Sequence, residues 1–200
     1  KNANRTALAR GRLADGHLEG TEVIFRIADT KRGTQHFGSR LVWMPDGTLL
    51  MSIGDGGNPP ISFAGENIRD QAQSLGTHFG KVLRLTEDGQ PAPGNPFAKR
   101  SGARPEIWSL GHRNIQGMTL DPANGRVWAN EHGSQGGDEL NRIEGGKNYG
   151  WPDVTYSIEY WGPRISEETS RPDIAQPLVV WTPSKAPSGL VYYTGERYPG

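Results

Sequence analysis

The 200-residue sequence has no cysteine, which excludes disulfides and thiolate metal sites and leaves the compartment undecided. No apolar run approaches the roughly 18 residues needed for a membrane-spanning helix. Neither sign of charge is in surplus, with 22 Lys and Arg against 22 Asp and Glu. Without a basic field, nucleic acid is not an expected partner. The sequence also begins at Lys1 rather than methionine, shows no signal peptide, and stops at Gly200 just after a fresh strand pattern. It is expected to be a portion of a longer chain. What it does have is 28 glycines and 15 prolines, a composition that favours short strands joined by turns over helices.

Alternating apolar residues predict strands over 6–12 and 22–27, separated by the turn-rich pairs Asp15-Gly16 and Glu19-Gly20. After a polar loop containing His36, a strand over 40–44, the turn Pro45-Asp46-Gly47 and a strand over 48–53 form a hairpin. The bare-backbone loop Gly54-Asp55-Gly56-Gly57 follows. Residues 58–76 show no period and read as a long surface excursion, whereas 81–85 and 106–110 read as strands. A second hairpin pairs 118–120 with 126–128 across the turn 121–125, where Asn124-Gly125 tolerates positive φ. The last strands are expected over 178–181 and 190–193. A small residue, an apolar strand and a turn recur from 39, 117 and 188. Those starts lie farther apart than the roughly 40–50 residues of an ordinary propeller blade. A recurring all-β unit with long connections favours decorated propeller blades over a β-sandwich. The expected fold is therefore all-β, a portion of a β-propeller, with residues 1–200 forming part of one domain.

Two polar, glycine-bracketed loops, 111–117 and 130–139, flank the second hairpin and are expected at one end of the sheet. His36 and Asp55 flank the first hairpin in the same way. A histidine with a carboxylate partner can serve as a general base, because the carboxylate fixes the tautomer and stabilises the imidazolium. The same two residues also read as an exposed loop histidine and a turn aspartate. Arg113 suits an oxyanion or a ligand carboxylate, or else a structural aspartate. Gly133 and Ser134 can offer carbonyl oxygens to a hard cation; the lack of cysteine favours calcium over zinc. Glu139 either joins such a site or is solvated. The spacing of residues 136–139 is not that of an EF-hand, and His112 and His132 lie on different loops, so they form no helical zinc pair.

Taken as ordered motifs over roughly 30–155, the sequence resembles the soluble pyrroloquinoline-quinone-dependent aldose and glucose dehydrogenases. The matching text is Leu110-Gly111-His112-Arg113-Asn114 with Gln116-Gly117, Asn130-Glu131-His132-Gly133, Gly137-Asp138-Glu139, and Gly145-Gly146-Lys147-Asn148-Tyr149-Gly150-Trp151-Pro152. Pro45-Asp46-Gly47, Ile53-Gly54-Asp55 and Gly80-Lys81-Val82-Leu83-Arg84 match upstream. The resemblance implies a six-bladed β-propeller, of which this chain supplies a middle portion, in a periplasmic or secreted enzyme. It implies oxidation of an aldose at the anomeric carbon, with hydride passing to pyrroloquinoline quinone and then electrons to an external acceptor. His36 would be the base, Asp55 its orienting partner, and Arg113 would polarise the quinone oxygen. Asn114, Gln116, His132 and Asp138 would line the cofactor pocket. The carbonyls of Gly133 and Ser134 would hold the cofactor calcium, with Glu139 and Tyr149 holding a second, structural calcium. Ser134 stands where the family often has proline, which leaves a carbonyl ligand but removes a fixed φ. The basic residues that grip the cofactor carboxylates in the family come from later blades. The competing reading is a non-catalytic propeller that binds proteins and keeps only the scaffold glycines.

Overall fold

The computed structural model describes residues 3–198. Its strands are β1 (Ala7–Ala14), β2 (His17–Arg26), β3 (Leu41–Trp43), β4 (Leu49–Ile53), β5 (Ser62–Phe63), β6 (Glu66–Asn67), β7 (Lys81–Leu85), β8 (Ile107–Leu110), β9 (Ile115–Leu120), β10 (Val127–Glu131), β11 (Asp138–Ile143) and β12 (Val179–Trp181). A 3-10 helix covers Ile68–Gln73. Two antiparallel four-stranded sheets dominate, ordered β3-β4-β7-β8 and β9-β10-β11-β12, each built largely from neighbours in sequence. The chain is all-β, and no sheet closes on itself among the described residues.

The hairpins form where alternation and turn chemistry agree. Leu41 faces Met51 and Trp43 faces Leu49 across the turn at Gly47, whose φ is 80°. In the second hairpin Leu120 faces Val127. Asp121 stabilises its turn by accepting the Ala123 N–H, and of the Asn124-Gly125 pair only Gly125 takes positive φ. Glu19-Gly20 is no turn: it lies inside β2, beside a register shift opposite Arg10 and Arg12.

Every residue of β4 is buried, because both of its faces are covered. Leu49, Met51 and Ile53 pack with Leu83, Leu85, Leu8 and Ile27 on one side. Leu50 and Val82 pack on the other against Ile115, Met118, Val127 and Ile143 of the second sheet. Each such side chain contributes about 1.5–3 kcal/mol by leaving water, so the sheet-to-sheet contact fixes the edge strands β3 and β9 side by side.

Three further expectations change. Residues 58–76 are not a surface excursion: β5, β6 and the 3-10 helix lie there, with Ile68 and Ala72 fully buried. Lys81, itself buried, anchors that helix by donating to the carbonyls of Gln71 (2.9 Å), Ala72 (2.9 Å) and Phe79 (2.6 Å). The second polar loop is shorter than expected, because Asn130 and Glu131 end β10 while Asp138 and Glu139 begin β11. Residues 190–193 form no strand; Tyr192 donates its N–H to Thr119 Oγ1 beside β9, but no ladder forms.

Candidate active site

The ends of β4, β8 and β10 deliver the polar groups. Gly54 follows β4, and a Cβ there would lie 2.2 Å from the His36 carbonyl oxygen. Only a bare backbone lets the His36 loop close onto this strand end. His36 itself takes φ 50°, an uncommon conformation for a side-chain-bearing residue that histidine tolerates better than most. The outcome is a 2.6 Å contact between His36 Nδ1 and Asp55 Oδ1. Asp55 is fully buried, and its carboxylate also accepts from the Gly57 N–H (3.0 Å) and from Trp151 Nε1–H (2.8 Å). A carboxylate only accepts, so His36 Nδ1 carries the proton, and in the neutral imidazole Nε2 presents its lone pair. Nε2 has no partner among the described residues, and the side chain is 12% exposed.

Trp151 links this dyad to Arg113, whose guanidinium lies 5.3 Å from the indole centroid. Arg113 is buried and donates to the His132 carbonyl (3.1 Å) and to Asn58 Oδ1 (2.8 Å). Its own carbonyl accepts the Asp55 N–H at 2.8 Å. Asn114 Oδ1 accepts the Gly38 N–H (3.1 Å), tying the His36 loop to the second sheet. Gln116 does not join this network; among the described residues its Nε2 reaches only the carbonyl of Ile115, at 3.5 Å. His132 donates Nε2–H to the Pro187 carbonyl (2.7 Å).

Asp138 lies one step from Arg113 and His132, through the Gly133 N–H that it accepts at 2.9 Å. Its other oxygen accepts Ser184 Oγ–H (2.6 Å) and the N–H groups of Lys185 and Ala186 (both 2.8 Å). Burial opposes its ionisation, but the donors from Ser184, Gly133, Ala186 and Lys185 outweigh that and hold its pKa below the usual value. Asp138 therefore shapes the loop wall with its carboxylate fully engaged by protein donors.

A second cluster lies behind Arg113. Glu139, Glu131, Tyr149, Gly133 and Thr155 help line a cavity of about 10 Å³, room for one water-sized occupant. Burial, and then the neighbouring Glu131 charge, push the Glu139 carboxyl up to about 8. A buried and a half-buried carboxylate side by side invite a cation. Asn141 Oδ1 is buried without a partner, and the carbonyls of Gly133, Ser134 and Tyr149 accept no hydrogen bond among the described residues. No three side chains of His, Asp or Glu converge among the described residues, so a cation here would rest on carbonyl, amide and carboxylate oxygens. That donor set fits calcium. Beside it, an open concavity of about 710 Å³ is bordered by His132, Gly133, Ser134, Tyr160 and Ser184, a size suited to a cofactor or small ligand.

The sequence reading missed Trp151 as a partner of Asp55, although its Gly150-Trp151-Pro152 setting marked it. It missed Lys31 without any signal to follow. The Lys31 ammonium donates to the carbonyls of Gln35 and Gly56 and clamps both flanks of the His36–Asp55 pair. Burial lowers its pKa to about 8, partly offset by Asp55. Glu131 was likewise passed over.

Aldose sugar dehydrogenase YliI of Escherichia coli strain K12 is 40% identical over 97% of this chain and 51% of its own length. The crystal structure of the soluble aldose sugar dehydrogenase from Escherichia coli in the apo-form superposes with a TM-score of 0.87 at 38% identity, covering 96% of this chain and 54% of that one. The pyrroloquinoline-quinone-bound aldose sugar dehydrogenase from Streptomyces coelicolor gives a TM-score of 0.69 at 31% identity, over 94% and 49% of the two chains. The chain thus spans about half the length of the curated relatives it matches. The family model described as Glucose / Sorbosone dehydrogenase matches residues 1–200, and the chain belongs to that family.

Proposed function

We propose that the protein is a quinoprotein oxidoreductase that oxidises the anomeric carbon of aldose sugars. The two four-stranded sheets are two blades of a six-bladed β-propeller, and residues 1–200 are part of that single domain. The remaining blades come from polypeptide outside these residues. The observation that carries the reading is the His36–Asp55 pair: a fully buried carboxylate 2.6 Å from an imidazole whose other nitrogen has no partner among the described residues. A non-catalytic propeller has no need to bury a charge there, and burying one is costly unless it is paired.

In this reading His36 Nε2 takes the proton of the anomeric hydroxyl, and Asp55 holds the tautomer and stabilises the imidazolium that forms. Arg113 supplies fixed positive charge where negative charge develops. Asn114, Gln116, His132 and Asp138 belong to the cofactor pocket, Asp138 by shaping its wall. Pyrroloquinoline quinone, when bound, supplies the two-electron acceptor that no side chain here provides. The Gly133 and Ser134 carbonyls would hold its calcium, while Glu139 and the Tyr149 carbonyl would hold a second one. An external acceptor must then regenerate the cofactor. No helix among the described residues is long and apolar enough to cross a membrane, and we assign the protein to the periplasm or the exterior on its family's account.

The test uses the whole protein reconstituted with calcium and pyrroloquinoline quinone, with a dye as acceptor. His36→Ala should slow sugar oxidation by about 10²–10⁴, with cofactor binding, followed by absorbance titration, little changed. Full activity in that variant would remove the base and the mechanism with it.

A further inference from the structure

The side chains between the Glu139 cavity and the His36–Asp55 pair form one hydrogen-bonded line. Glu131 Oε2 accepts the Arg113 N–H at 2.6 Å. Glu131 Oε1 accepts from His112 Nδ1 (3.1 Å) and from Asn141 Nδ2 (3.3 Å), and Asn141 Nδ2 also reaches Glu139 Oε2 at 3.0 Å. His112 is held in turn by Ser109 Oγ at 2.8 Å and by the Tyr149 ring, stacked at 4.6 Å. On the far side of the same residue, the Arg113 carbonyl accepts the Asp55 N–H at 2.8 Å. The Arg113 backbone is therefore gripped between a carboxylate of the cation cluster and the backbone of the proposed catalytic dyad.

Most of these groups are excluded from solvent: Glu131 is 5% exposed, Asn141 and His112 are fully buried, and Glu139 is half-buried. In such surroundings charge is felt strongly and a change at one group must be taken up by its neighbours. With no cation, Glu139 and Glu131 share the one Asn141 amide nitrogen. A cation held by Glu139 engages that carboxylate and lets Asn141 redistribute its two donors. Besides Asn141, the donors to Glu131 among the described residues are His112 and the Arg113 N–H, so it transmits the change to the Arg113 backbone. Both of its oxygens are already engaged by protein donors, so its role is positioning rather than ligation.

We infer that Glu131 is a positioning residue that couples cation occupancy at Glu139 to the setting of the Arg113 peptide and, through it, of Asp55 and His36. This rests on the calcium reading of Glu139 given above. It would make the metal a regulator of the catalytic geometry as well as a structural brace.

The experiment follows the whole protein without quinone, labelled with ¹⁵N at arginine and histidine, as calcium is added. The Arg113 amide and the His36 ring are read by NMR, and calcium affinity by calorimetry, in the wild type, Glu139→Gln and Glu131→Gln. In the wild type both signals should move with calcium, and Glu139→Gln should abolish that movement. Glu131→Gln should bind calcium within about tenfold of wild type, a difference below about 1.4 kcal/mol, yet leave both signals where they were. Wild-type movement in Glu131→Gln overturns the coupling while leaving the calcium site standing. Should Glu131→Gln fail to fold, the wild type decides: calcium binding that Glu139→Gln removes, with no movement at Arg113 or His36, overturns it equally. Absence of any calcium binding that depends on Glu139 overturns the metal reading and this inference together.

Discussion

Asp55→Asn probes the proposed dyad without changing its shape. Asp55 Oδ1 accepts from His36 Nδ1 at 2.6 Å and from the Gly57 N–H at 3.0 Å, while Oδ2 accepts Trp151 Nε1–H at 2.8 Å. Three donors thus converge on a carboxylate with no exposed surface. An amide offers only one accepting oxygen. With that oxygen toward His36, the new NH₂ confronts the indole N–H, and Trp151 loses its acceptor. With the amide reversed, the NH₂ confronts His36 and Gly57, and the imidazole must move its proton to Nε2. Either arrangement leaves at least one buried donor unsatisfied, so unfolding free energy should fall by about 1–3 kcal/mol. The first arrangement removes the charge that stabilises the imidazolium; the second removes the base. Turnover should therefore drop by about 10²–10⁴, in line with the tautomer effect known from catalytic triads. Dye-linked sugar oxidation after reconstitution gives the rate, and urea denaturation gives the stability. Wild-type turnover in a folded, cofactor-loaded Asp55→Asn would refute the argument.

Asp138→Asn should loosen the wall formed by Gly133 and residues 184–186, because one of the four donors on its carboxylate must lose its acceptor. Quinone affinity, read by absorbance titration, should weaken, and unchanged affinity would show the wall to be irrelevant. Glu139 sits at about 8 in the folded chain, above its ordinary 4.5. Calcium-free protein should therefore have its full Glu139 contribution below about pH 4.5 and lose it as pH rises toward 8. Glu139→Gln should lack that slope, and Lys31 and Lys81, present in both proteins, cancel in the comparison. Melting curves for the two proteins that stay parallel from pH 5 to about 7.5 would contradict the shift. Lys81→Met should cost about 1–3 kcal/mol, since the Phe79 carbonyl then has no donor. Gln71 and Ala72 keep theirs from Ser74 and Gly111. Chemical denaturation checks it, and a neutral result would mean that water enters.

The legible parts of the fold are those where one short stretch carries its own answer. The β3–β4 and β9–β10 hairpins each combine an apolar alternation with a turn whose glycine takes positive φ, at Gly47 and Gly125. Strand β11 was misread because it opens on Asp138 and Glu139, two acids that look like loop. The first is in fact satisfied by loop donors, and the second faces a small oxygen-lined cavity. The 58–76 segment was misread for the opposite reason. Its burial is imposed by Lys81, which gathers three carbonyls from outside its own strand, and backbone carbonyls leave no trace in a residue pattern. The apolar run at 190–193 shows that propensity alone does not make a strand, which needs a ladder partner.

The site divides along the same line. Its residue types were readable, because histidine, arginine, amides and acids beside glycine rarely serve a scaffold alone. Their partnerships were not. His36 meets Asp55 across 19 residues of chain, and Trp151 reaches the same carboxylate across 96. What brings them together is steric: Gly54 has no Cβ, so the His36 carbonyl can occupy the space where one would stand. The same close approach fixes the imidazole that Asp55 then orients. A residue with no chemistry of its own thus decides whether the chemical pair exists. Glu131 carries the point further, because it faces neither the concavity nor solvent. Only the distances around Arg113 show that it joins the oxygen-lined cavity to the dyad.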